Sequence, residues 1–123
     1  MNSEYFIESI VKYVRNPTIE DTVSNMEQPP GRNPGQKDVE LSEWYNSQSA
    51  RDKKMIEKAL YEAVDASLFG LLAIIDDVRT IEDTTNKGTF KLFFEKGKER
   101  KLLNDKDNEF LHDIYNATIN PNE

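Results

Sequence analysis

Between Met55 and Ile75 the apolar residues leave the chain little choice of structure. Met55, Ile56, Ala59, Leu60, Ala63, Val64, Leu68, Leu71, Leu72 and Ile75 recur mostly as adjacent pairs about four positions apart. At 100° per residue such a pattern forms a stripe that turns slowly around a helix. From Ala66 onward, Phe69, Ala73 and Ile74 fill the remaining faces. A helix that is amphipathic at its start and apolar all round at its end runs from the surface into a core. Ser49-Ala-Arg-Asp52 has the Ser-x-x-acid form that opens helices, so one helix over about Ser49 to Ile75 is expected. The alternative is a helix ending at Gly70 and a buried strand over LLAIID; length and the unbroken repeat favour the single helix.

The flanks are read against that helix. Residues 3 to 15 carry Phe6, Ile7, Ile10, Val11 and Val14 on one face, with Asn16-Pro17 expected to end the helix. Residues 17 to 41 hold four prolines and two glycines among scattered apolar residues, and are expected to form a flexible loop. Leu41, Trp44 and Tyr45 make an aromatic knot, with the tryptophan as a lid on the core. Beyond the long helix, Val78–Ile81 suits a short strand, and Asn86-Lys87-Gly88 suits a turn. Phe90, Leu92 and Phe94 alternate with Lys91, Phe93 and Glu95 as a strand does. Lys96-Gly97-Lys98 supplies a hairpin turn, and residues 99 to 103 return as the partner. A final helix, capped by Asp105 or Asp107, places Phe110, Leu111, Ile114 and Tyr115 on one face. The expected class is α+β, a single domain over residues 1 to 123. Its long central helix packs with flanking helices and a small antiparallel hairpin or meander.

Composition narrows the chemistry. The chain has 123 residues and no cysteine, which removes disulfides, zinc thiolates and thiol catalysis. The start MNSEYFIESIVKYV is acidic and lacks the apolar run of a signal peptide, and no apolar run approaches the roughly 20 residues of a membrane span. A soluble, cytoplasmic protein is expected. The formal net charge is −7, which weighs against nucleic acid and anionic membranes as partners. That charge is unevenly spread, because residues 87 to 101 carry six bases against Glu95 and Glu99.

Few residues suggest a site. His112 is the sole histidine and is expected on the helix face opposite Phe110, Leu111 and Ile114, as an ordinary surface or capping residue. A catalytic triad would need an orienting acid and a nucleophile within reach. No spacing suits zinc or iron, and no phosphate-binding glycine loop is present, so no catalytic residues, metal or cofactor are expected. The basic hairpin could track phosphates with Phe93 as a stacking platform, but a solvated lysine-rich edge explains the same residues.

Asp76, Asp77, Glu82 and Asp83 stand out most. Acids at a helix C-terminus meet the negative end of the helix dipole, at a cost of up to about 1 kcal/mol each. Two explanations stay open: the carboxylates bond to backbone N–H groups in the following turn, or they form a patch that meets a basic partner. A magnesium or calcium site is a further option, although no EF-hand spacing is present.

AVDASLFGLLAIIDDVRTIED, a short hairpin and then LHDIYN resemble, in layout, small bacterial immunity proteins of polymorphic or contact-dependent toxin systems. The resemblance covers about the last 75 residues and transfers no functional residue. It implies a non-enzymatic protein that binds and neutralises one cognate protein toxin, a basic nuclease being the natural target for an acidic inhibitor. The alternatives are a regulatory or structural binding module, homodimeric through the long helix, and a small metal-dependent enzyme using the Asp76–Asp83 cluster.

Overall fold

The computed structural model describes residues 1 to 122. Its α-helices are α1 (Ser3–Ile10), α2 (Asn16–Glu27), α3 (Gln36–Asn46), α4 (Ala50–Ile75) and α5 (Leu111–Ile119). Strands β1 (Phe93–Lys96) and β2 (Glu99–Leu102) form one antiparallel hairpin, so the class is α+β. The chain divides into two compact units, one spanning Val14–Asp65, the other joining Met1–Tyr13 to the chain from Ala66 onward.

In the Val14–Asp65 unit, the expected loop over 17 to 41 is replaced by helix on both sides of a short connection at 28 to 35. Pro17 does not stop the chain. The backbone winds as a π-helix over Val11–Arg15, and Pro17 then takes the first turn of α2, where a missing N–H costs nothing. Ile19 and Met26 of α2 are buried, as are Ser42 and Tyr45 of α3. Asn46 locks the two helices by donating to the Glu27 carbonyl (3.0 Å) and to Ser42 Oγ (3.3 Å). Arg15 forms a two-pronged pair with Asp65, at 2.7 and 3.1 Å, with its guanidinium over the Tyr61 ring. Trp44 is 52% exposed, so it is Tyr45 and not the tryptophan that closes this unit's core. Burial, with Glu27 and Glu57 nearby, holds the Tyr45 phenol above its usual range.

The other unit is built around the C-terminal part of α4. Ile7, Leu72, Leu111, Ile114 and Tyr115 form its core, with Phe6, Ile10, Leu68, Phe69, Ile75 and Leu92 packed around them. Each fully buried side chain of this size contributes about 1.5 to 3 kcal/mol. Helix α4 matches the expected span, and Ser49 Oγ accepts the Asp52 N–H at 3.1 Å as its cap. The hairpin pairs Lys96 with Glu99 across Gly97-Lys98, and Gly97 supplies the left-handed φ of 59° that a two-residue turn requires. Val78–Ile81 is irregular, not a strand. Helix α5 starts at Leu111, later than either expected cap, and no side chain from its own vicinity caps it.

Candidate functional site

The last turn of α4 sets up everything that follows it. The Val78 N–H reaches back to the Ala73 carbonyl and the Asp77 N–H to Ile74, each at 3.0 Å, closing the helix in a Schellman motif. This motif needs a left-handed residue, usually glycine, and here it is Asp77 at φ 62°. Aspartate tolerates that conformation better than most residues. Its Oδ1 accepts the Phe90 N–H at 3.0 Å, while Oδ2 lies 3.5 Å from the Lys106 ammonium.

Asp76, one residue earlier, is buried, and its carboxylate faces the start of α5. Its Oδ2 accepts the backbone N–H of His112 at 2.9 Å and lies 2.6 Å from His112 Nδ1. His112 is the second residue of α5, so Asp76 does from 36 positions away what an N-cap side chain normally does locally. The acid that opposes the dipole at the end of α4 complements the dipole at the start of α5. With the proton on Nδ1, the imidazole donates the second bond. Phe110 stacks on the imidazole and Phe69 meets it edge-on, with ring centroids 5.5 and 5.3 Å away. The expected surface histidine is thus corrected: His112 is buried, held by Asp76, with Nε2 3.4 Å from Asp113 Oδ1. Asp76 Oδ1 is buried without a hydrogen-bond partner among the described residues.

From Val78 to Leu92 the chain has no regular secondary structure, but hydrogen bonds tie it down at its two ends and at a few points between. Glu82 Oε2 accepts the Gly88 N–H at 2.6 Å, Thr80 Oγ1 accepts the Glu82 N–H, and Thr84 Oγ1 donates to the Asn86 carbonyl. Buried Asn104 pins both ends, donating to the Ile75 and Phe90 carbonyls and accepting the Leu92 N–H. Arg79 folds back over Gly70, where a Cβ would lie 2.6 Å from its guanidinium. Any larger residue at position 70 would displace it. The outcome is an ordered loop that presents Val78 (56% exposed), Ile81 (61%) and Phe90 (45%). A groove of about 250 Å³ runs between Ile74, Asp77, Ile81, Glu82, Phe90 and Lys106.

The four acids singled out in the sequence therefore part company. Asp76 is internal, Asp77 braces the loop, and Glu82 braces it while staying at the surface beside exposed Asp83. Among the described residues no three His, Asp or Glu side chains are placed to hold a metal ion. Sequence reasoning missed the Asp76–His112 clasp and Asn104. The unfavourable charge at the end of α4 was the only signal of the clasp, and nothing in the sequence pointed to Asn104. No family model, curated protein or solved structure matches this chain. Among the described residues no helix is long and apolar enough to cross a membrane.

Proposed function

We propose that this chain is a non-enzymatic, cytoplasmic binding protein of the immunity type, which occupies and neutralises a cognate protein toxin through the Val78–Phe90 loop. The observation that carries this reading is the combination of exposed Val78, Ile81 and Phe90 with Glu82 and Asp83 on an irregular segment that is anchored by the Glu82–Gly88, Asp77–Phe90 and Asn104–Phe90 hydrogen bonds. Apolar side chains held in the open at the centre of a charged rim are the composition of a protein-binding patch. A loop braced before binding loses little entropy on docking. The rim itself carries both signs, Glu82 and Asp83 beside Arg79, Lys87 and Lys106. It is the net charge of −7 of the whole chain that suits a basic target and would accelerate its approach.

The test pairs this chain with the product of the gene encoded beside it. The neighbour is expressed alone and together with this chain, and complex formation between the purified proteins is followed by calorimetry. Growth arrest by the neighbour alone, relief on co-expression, and a complex weakened at least tenfold by Ile81→Asp support the reading. A neighbour that is harmless, or whose complex ignores Ile81→Asp, rejects it.

A further inference from the structure

The β1–β2 hairpin carries a charge opposite to the rest of the molecule. Residues 93 to 102 hold four bases and two acids, a formal +2, which leaves −9 for the remainder of a chain at −7. Both acids are already engaged: Glu95 pairs with Arg100 at 2.9 Å, and Glu99 with the N-terminal ammonium at 3.3 Å. Lys96, Lys98 and Lys101 are exposed at and beside the turn, and no carboxylate neutralises them among the described residues.

The hairpin is also an incomplete sheet. Lys96 pairs with Glu99 next to the two-residue turn, so the alternate pairs Glu95–Arg100 and Phe93–Leu102 direct their backbone N–H and C=O groups outward. Met1 and Ser3 contact the β2 arm through the Glu99 side chain and the Leu103 carbonyl. Among the described residues no hydrogen bond engages the outward backbone groups of Phe93 and Glu95 on β1. Phe93 is the exposed aromatic on this strand, and the Arg100 guanidinium covers it at 3.9 Å from the ring centroid.

We infer that the β1 edge is a docking strand for an acidic, extended peptide segment of a partner protein, which adds as a third strand with its carboxylates on Lys96, Lys98 and Lys101. Main-chain bonds supply affinity in such strand addition, and side-chain charge supplies selection. A polynucleotide fits less well. The strongly acidic remainder of the molecule repels it, and the aromatic face that a base would stack on is occupied. This surface is independent of the Val78–Phe90 loop, and either could operate without the other.

The experiment is fluorescence anisotropy on the full chain with three labelled probes. They are an alternating Glu-Val decamer, the same decamer N-methylated at every second residue, and a fifteen-nucleotide oligo-dT. The alternating peptide is expected to bind, to weaken as salt rises, and to lose at least tenfold in affinity in the Lys96→Glu, Lys98→Glu variant. That variant should stay folded and melt only slightly below wild type, since both side chains are solvated but Lys96→Glu sets a second acid opposite Glu99. The methylated peptide keeps the charge but cannot pair along one edge, and should bind at least tenfold more weakly. Equal binding of both peptides would overturn strand addition. Tighter binding of oligo-dT would reassign the surface to nucleic acid. No binding of any probe would reduce the lysines to a guard against edge aggregation.

Discussion

At the scale of single residues, Asp76 and His112 make the sharpest claims. Both are buried, and they bond to each other. His112→Ala would leave a buried carboxylate whose remaining bond is to a backbone N–H, and should cost about 3 to 5 kcal/mol in chemical denaturation. Asp76→Ala removes a cap worth about 1 kcal/mol and a charge-assisted bond worth about 1.5 to 3 kcal/mol. The two losses should be strongly non-additive in a double-mutant cycle; additivity within about 0.5 kcal/mol would show that the clasp carries no coupling. Asp77→Asn keeps both the tolerance of φ 62° and an acceptor for the Phe90 N–H, and should be near neutral. Asp77→Val loses both, and should cost about 2 kcal/mol or more. Tyr45 makes a claim about pH. A folded-state phenol held above its usual range binds its proton more tightly than the unfolded chain does. Its contribution is therefore constant below about pH 10, and stability falls as pH rises past that point. Tyr45→Phe should weaken this alkaline loss, as read by chemical denaturation of both proteins on either side of about pH 10.

At the scale of elements, what was legible tracks how local the physics is. Helix α4 was readable from Ser49 onward because its stripe and its cap are both written within the segment. The hairpin was readable at its turn for the same reason, since Gly97 specifies it without outside help, but the alternation from Phe90 overstated the first strand, which begins at Phe93. Leu72→Ala tests the depth of α4: at 4% exposure it should cost about 2 to 5 kcal/mol. A loss below about 0.5 kcal/mol would contradict its place in the core. Helices α2 and α3 were hidden because Pro17 reads as a stop, yet serves as a start. Each also buries only two side chains, too few to leave a stripe. The beginning of α5 was misplaced because its cap is supplied by a residue of another helix, and no window along the sequence contains both. The candidate site was half legible: the acids were visible, but the sequence did not separate the bracing carboxylates from the exposed ones.

At the scale of the whole molecule, charge and stability should respond separately at the surface. Reversing Glu82 and Asp83 to lysine should slow association with a basic partner and flatten its dependence on salt, as read by stopped-flow at low and high ionic strength. Asp83→Lys alone should leave the melting temperature unchanged, because an isolated exposed charge contributes little. Glu82→Lys should lower it slightly, because the Gly88 N–H loses its acceptor. An unaltered association rate together with a large loss of stability would remove these acids from the binding patch.

The pairing of Ile7 with Leu111 and Tyr115 in one core has a consequence for how the protein is made. On a ribosome, α1 emerges well before Leu111 and Tyr115 of α5, the residues that cover it. At about 5 to 20 residues per second, its apolar face would wait roughly 5 to 20 s for its partners. Until then nascent α1 is a client for any chaperone near the exit tunnel. A chain released just before Leu111 would carry that face uncovered for its whole lifetime, and should be cleared by proteolysis far sooner than the full-length protein.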